Sequence, residues 1–233
     1  VTTFAELAWR LRDEGYTLLP DALPPTAVRE LRDVLDVGAE PGNHRWLTDW
    51  PPAISELDIL IRQILLDLFP GEPFSCVRLL LFDKTPDRNW PVLWHQDRTI
   101  HVNARHTLPG YGPWSEKEGG IHVHPPEDIL QGMVTARVHL DLADEAHGGL
   151  CVLPGSHHLG RIDQEDVPAH LSQQEKRFAE AKAGDILFMK PLLLHSSARS
   201  KHPGHRRVIH MEYAARPLPA PLQWALDSAG TLM

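Results

Sequence analysis

The sequence predicts a mainly β fold, an antiparallel sandwich or jelly roll with helices packed on one side. Three observations carry this. Helical periodicity is confined to the N-terminal part, up to about residue 69. The apolar segments after it are short and strand-like, with Gly, Pro, Asn or Asp turns between most of them. No helix of comparable length alternates with those strands, as a parallel βαβ sheet would require.

In chain order, "FAELAWRLRDEGY" places Phe4, Leu7, Ala8 and Leu11 at helical spacing, and Gly15 ends that helix. "TLLP" reads as a short strand, and Pro24-Pro25 open a second helix over "TAVRELRDVLDV". Residues 53–69 form a third, with Ile54, Leu57, Ile61, Ile64, Leu65 and Leu68 on one side. Strands follow at "FSCVRLLLF" (74–82), "MVTARVHLDL" (133–142), "GLCVL" (149–153), "DILFMK" (185–190) and "RRVIHMEYA" (206–214). Residues 98–131 have no clear period and carry Pro, Gly, Trp and His, so they are expected to form a lid or binding loop. With 233 residues, 42% of them hydrophobic, the chain suits one domain over 1–233: a helical part at about 1–72 and a β core at about 73–215.

The net charge of -8 has no basic block, which argues against nucleic acid as the main partner. No apolar run is long enough for a transmembrane helix, and no secretory signal opens the chain at Val1, so no membrane partner is expected. Cys76 and Cys151 have no zinc-site spacing, and a reducing cytoplasm is the expectation. A small molecule is the remaining class of partner.

Histidine is abundant, with 15 residues, most between 95 and 210. Imidazole is a ready metal ligand. Two imidazoles and one carboxylate on one face of an octahedral ion hold it and leave adjacent positions open, the arrangement that oxygen-activating iron(II) needs. A His-x-Asp pair at a strand end supplies two of the three from one face. His95-Gln96-Asp97 has this form, but with 15 His and 17 Asp in 233 residues about one such pair arises by chance. A second copy is His139-Leu140-Asp141. His122-Val123-His124 followed by Glu127, with "GDILFMKPLLLH" ending at His195, resembles the two metal motifs of cupins. Three candidate sites therefore compete.

The segments "NWPVLWHQDRTIHV" (89–102), "GGLCVLPGSHHLG" (148–160), "AGDILFMKPLLLHSSARS" (183–200) and "HRRVIHMEY" (205–213) occur in that order. Together with "GYTLLPDALPPTAVRELRDVL" near the start, they resemble the phytanoyl-CoA dioxygenase family of iron(II)/2-oxoglutarate oxygenases. The resemblance implies a double-stranded β-helix core and the cofactors iron(II), 2-oxoglutarate and O₂. It implies His95, Asp97 and His195 as metal ligands. It implies Arg206, eleven residues beyond the distal histidine, as the partner of the far carboxylate of 2-oxoglutarate. Ser197 matches a hydroxyl that supports the same carboxylate, and Gln96 and Trp114 match positions lining that pocket. A guanidinium suits a planar, bidentate carboxylate pair, whereas Arg207 points to the opposite face of its strand. Related halogenases lack the carboxylate at the position of Asp97, so its presence implies hydroxylation, or a desaturation or ring closure, with release of succinate and CO₂. The cations of the 98–124 segment, Arg98 and Arg105 in particular, are expected to hold an acidic substrate. Two other classes remain open at this point: a cupin-type metalloenzyme built on His122, His124, Glu127 and His195, and a non-catalytic ligand-binding β-helix protein. "PGSHH" reads as a structural turn.

Overall fold

The helices at the N-terminus each bury one apolar stripe, and one sheet face receives all of them. The computed structural model describes residues 2–38, 43–45, 50–117, 120–202 and 204–226. Helix α1 (Phe4–Asp13) opens on a reciprocal cap, Thr3 accepting from the Glu6 amide while the Glu6 carboxylate accepts from the Thr3 amide. Strand β1 (Tyr16–Leu19), helix α2 (Pro25–Gly38), strand β2 (Asn43–Arg45) and helix α3 (Pro52–Leu68) follow. Leu11, Leu31, Leu35, Ile54, Ile61 and Leu65 are buried from the three helices in one cluster with Leu79, Ala136, Val138, Ile209 and Met211 of the sheet.

The remaining strands are β3 (Ser75–Lys84), β4 (Val92–His95), β5 (Ile100–Val102), β6 (Trp114–Lys117), β7 (Gly120–Val123), β8 (Met133–His139), β9 (Leu150–Val152), β10 (Arg177–Ala179), β11 (Ile186–Met189), β12 (His195–Ser197) and β13 (Arg206–Ala214). Between them lie helix α4 (Glu127–Gln131), a 3₁₀ turn at Ser156–Leu159 and helix α5 (Val167–Gln173). A six-stranded sheet runs β1-β11-β8-β13-β3-β2, and a four-stranded sheet runs β10-β9-β12-β4. Every strand pairing is antiparallel, and the two sheets face one another across the site as a jelly roll. Alternation sorts the large sheet's residues. On β13, Ile209, Met211 and Tyr213 join the helical core, while Arg206 and His210 point between the sheets. On β8, Ala136 and Val138 go to the core and Arg137 goes inward.

One expectation changes here. Residues 98–131 are not irregular: they contain a three-stranded sheet, β5-β7-β6, followed by α4. Ile100, Val102, Val123 and Leu130 are buried in one cluster against which Tyr111 and Trp114 pack. The strands are only three or four residues long and separated by Pro and Gly, too short to show a period. Strands β4, β10 and β12 are short for the same reason. The "PGSHH" turn is structural, as expected. The Ser156 hydroxyl accepts from the Leu194 amide, and the rings of His157 and His158 meet the α1-terminal carbonyls of Arg12 and Asp13 at 2.9 and 3.1 Å. Gly15 must stay glycine there: its φ is +84°, and a Cβ would come within 2.5 Å of His157 Nδ1.

Candidate active site

Strands β4 and β12 pair with His95 directly opposite His195, so the register alone brings two distant imidazoles together at a centroid distance of 4.2 Å. Asp97 lies two residues beyond His95, just past the strand end, and its amide donates to Pro191 O at 2.9 Å. The Nε2 atoms of His95 and His195 sit 3.6 and 3.8 Å from the two Asp97 carboxylate oxygens. One ligand atom from each residue falls within 4.8 Å of the others, and among the described residues no other group of three does so.

Both rings are oriented for ligation. His95 Nδ1 meets Leu93 O at 2.8 Å and His195 Nδ1 meets Leu193 O at 2.9 Å. A carbonyl can only accept, so each Nδ1 carries the hydrogen and each Nε2 lone pair faces the centre. Burial pushes His195 down to about 3, more than Asp97 offsets, so the ring is neutral, the form that binds a metal. Burial opposes ionisation of Asp97, but the hydrogen bond and charge of His95 hold the carboxyl below the usual range. Asp97 Oδ2 is buried and has no hydrogen-bond partner. Three converging donors and an orphaned carboxylate oxygen fit a divalent metal ion.

Behind this group, between the sheets, lies a cavity of about 190 Å³ lined among others by Lys84, Trp90, Arg137, Ser197 and Arg206. Arg206 pairs in register with Lys84, placing two cations side by side. Arg206 is 4% exposed, and its Nε and Nη1 have no partner. Burial, then the neighbouring Arg137, brings it down to about 9, still charged at neutral pH. Lys84 donates to Ser197 Oγ at 2.7 Å and to Ala198 O, and Ser197 in turn donates to Gly148 O at 2.8 Å. A four-residue polar chain crosses the large sheet beneath: Arg137 Nη1 to His210 Nδ1 at 3.0 Å, His210 Nε2 to Glu212 at 3.4 Å, and Glu212 to Arg78 at 2.9 Å. A second cavity of about 420 Å³ also reaches His95 and Asp97 and is lined by Arg78, Arg98, His124 and Ile162 among others.

The other sequence candidates separate. Gln96 is buried, but Nε2 donates to Gly160 O and Leu192 O and Oε1 accepts from the Ile162 amide, so its amide clamps backbone and does not line the cavity of Arg206. Trp114 packs in the β5-β7-β6 cluster, outside both cavities, and Arg105 lies over its ring at 5.8 Å. Arg98 does line the larger cavity. The second His-x-Asp is split: His139 is fully buried in β8, whereas Asp141 accepts from Arg207 and Arg32. Of the cupin-like set, His122 is buried and stacked on His101 at 4.9 Å, and Glu127 is bound to Gln131. These residues do not gather around His195. Lys84, Arg137 and His210 escaped the sequence reading. The available signal was an arginine or lysine at alternate positions of strands otherwise apolar.

Comparison with known proteins places these features. The family model described as Phytanoyl-CoA dioxygenase matches residues 62–208. Human peroxisomal phytanoyl-CoA dioxygenase is 26% identical over 166 residues, which are 64% of this chain and 42% of that protein. The Bos taurus protein is 24% identical over 228 residues, 88% of this chain and 60% of that protein. The chain thus spans about half the length of these relatives. Among solved structures, the non-heme alpha ketoglutarate dependent carbocyclase SnoK from nogalamycin biosynthesis superposes with a TM-score of 0.67 at 23% identity, covering 90% of this chain and 83% of its own. HygX from Streptomyces hygroscopicus, with nickel and 2-oxoglutarate bound, superposes with a TM-score of 0.64 at 15% identity, covering 94% and 92%. These superpositions establish a shared fold.

Proposed function

The chain belongs to the phytanoyl-CoA dioxygenase family, and on that premise we propose that it is a non-haem iron(II)- and 2-oxoglutarate-dependent oxygenase acting, as a single domain, on a small molecule. The observation that carries this reading is the state of Arg206. A buried guanidinium with Nε and Nη1 unpartnered is costly unless an anion completes it. The cavity it faces is shared with His95, Asp97 and His195. A small dicarboxylate that chelates a metal at one end and meets Arg206 at the other would satisfy both.

In this reading His95, Asp97 and His195 hold iron(II) on one face. Their Nδ1–carbonyl hydrogen bonds keep both rings in ligating orientation. Arg206 takes the far carboxylate of 2-oxoglutarate, and Lys84, anchored by Ser197, adds a second cation beside it. Ser197 thereby acts on the co-substrate through Lys84. Phe82, Val92 and Leu150 shield the cavity from water. Bound iron(II) and 2-oxoglutarate would supply the oxidising power, consuming O₂ and releasing succinate and CO₂. Asp97 completes the ligand set and favours hydroxylation, desaturation or ring closure over halogen transfer.

The test is direct. Purified protein loaded with iron(II) under anaerobic conditions should bind 2-oxoglutarate, and on admission of air should release succinate above the no-protein control. Absence of both binding and succinate would refute the assignment.

A further inference from the structure

The larger cavity beside the metal ligands has a chemistry distinct from that of the Arg206 cavity. Its volume, about 420 Å³, is in the range of small-molecule pockets, and it shares His95 and Asp97 with the candidate metal centre. Among its described lining residues, Arg78, Arg98 and Lys117 are cations and Asp97 is the only acid. A metal ion would absorb the charge of Asp97. Arg78 is already paired with Glu212, so Arg98 carries the cationic character of this lining in a chain whose net charge is -8.

Arg98 is the central group. Its Nη1 donates to Ile162 O at 2.8 Å, which fixes the guanidinium while spending one of five N–H donors. No carboxylate among the described residues forms an ion pair with it. Arg78 lies in the same lining, tied to Glu212 through Nη1 but with Nε buried and unpartnered. The field is visible at His124: burial, then Arg98, Arg161 and Lys117, depress its proton affinity. The lining also includes an apolar set, Ile162, Val167 and Leu194, which belongs to a buried cluster with Leu153.

We infer that this cavity binds the primary substrate as a small organic acid, its carboxylate paired with Arg98 and its apolar body against Ile162, Val167 and Leu194. The inference rests on the oxygenase reading for the word substrate, and on the cavity alone for the charge. A guanidinium held by a carbonyl on one edge presents its remaining donors in the planar fork that a carboxylate matches. Pairing at a site next to the metal would also bring the acid's own carbon skeleton close to the reacting centre. Arg105, which lies over Trp114, takes no part in it.

The experiment uses the full chain loaded with iron(II) and saturated with 2-oxoglutarate without oxygen, so that the Arg206 cavity is filled. Benzoate and benzamide, nearly equal in shape and different in charge, are then titrated by calorimetry. Benzoate is expected to bind at least tenfold more tightly than benzamide, and progressively less tightly as salt is raised. Arg98→Gln should weaken benzoate at least tenfold without changing benzamide, Arg98→Lys should recover part of the loss, and Arg105→Gln should behave as the unaltered protein. Equal binding of the two probes, no benzoate binding at millimolar concentration, or no effect of Arg98→Gln would overturn the inference. The comparison of the two probes on the unaltered protein stands even if Arg98→Gln does not fold. If 2-oxoglutarate itself fails to bind, the oxygenase reading and the word substrate fall, while the two probes still decide whether the cavity takes an acid; if it binds and the probes are not distinguished, only this inference falls.

Discussion

Arg206 and Arg207 are adjacent in sequence and opposite in environment, which makes them a controlled pair. Arg206 points between the sheets, 4% exposed, with two guanidinium nitrogens unpartnered. Arg207 points to the other face of the sheet, donating from Nε to Asp141 at 2.9 Å and from Nη1 to Asp36 at 2.9 Å. Removing one half of a buried carboxylate–guanidinium pair costs about 3–5 kcal/mol, a factor of roughly 10²–10³ or more in affinity. Lys84, opposite Arg206 in the register, stays behind and keeps part of the attraction, so the lower end, ~10²-fold, applies to Arg206→Ala. Arg207→Ala should leave 2-oxoglutarate affinity within about twofold and instead lower stability by ~1–3 kcal/mol, because Asp141 loses its main partner. The assay is anaerobic titration of the iron(II)-loaded protein with 2-oxoglutarate, with metal content and thermal midpoint measured on each variant. Equal losses of affinity in the two variants, or an unchanged affinity in Arg206→Ala, would refute the assignment of Arg206 and the strand alternation behind it.

Other consequences can be measured alongside. His95→Ala, Asp97→Ala and His195→Ala should each abolish succinate release and lower iron stoichiometry at equilibrium dialysis, whereas His122→Ala and His139→Ala should retain iron in whatever fraction stays folded. Burial, then Arg206 and Arg137, pushes Lys84 down to about 7; a bound dianion beside it restores its proton, so 2-oxoglutarate binding should take up protons near pH 8, weaken as pH rises, and lose that uptake in Lys84→Met, read as the dependence of calorimetric heat on buffer ionisation enthalpy. Burial would raise the Asp141 carboxyl, but hydrogen bonds from Arg207 hold it below its ordinary value. A depressed carboxyl stabilises the fold above its unfolded pKa of about 3.9 and loses that contribution as pH falls through the folded value. Asp141→Asn should therefore lower the thermal midpoint at pH 7 and cost progressively less as the pH is brought below ~4. A constant deficit across that range would show that Asp141 acts by packing.

The fold was legible where a segment was long enough to show its period, or where a short apolar run stood between turn residues, as at β1, β9 and β11. The helices over 4–13, 25–38 and 52–68 and the long strands over 75–84, 133–139 and 206–214 all stand within a few residues of where alternation or helical spacing puts them. The elements that were not legible are short, three to seven residues, and β5, β6 and β7 are separated by Pro and Gly that ordinarily mark loops. What makes them strands is tertiary: Ile100, Val102 and Val123 bury themselves with Leu130 and Met133, a contact that no local window contains. The expected irregular loop is a folded segment for that reason, with Tyr111 and Trp114 packed against its buried cluster.

The site divides along a similar line. A His-x-Asp pair carries little information by itself, and two copies cannot be ranked by spacing. The structure ranks them by what each carboxylate already holds. Asp141 is spent on Arg207 and Arg32, whereas Asp97 keeps one buried oxygen without a hydrogen-bond partner and faces two imidazoles whose free lone pairs converge on it. The same accounting separates Arg206 from Arg207 and takes Gln96 out of the Arg206 cavity, its amide bound to three backbone groups while it lines the neighbouring cavity. It also explains why Lys84 and Arg137 went unnoticed. In sequence each is one cation in an apolar strand, indistinguishable from a solvated edge residue. Only when β3, β8 and β13 lie side by side do alternate positions 84, 137 and 206 fall on the same face of one sheet. Three buried basic side chains on one wall, with Glu212 paired to Arg78, favour an anion from elsewhere, and a dicarboxylate chelating a metal at the candidate His95–Asp97–His195 group beside them would supply it.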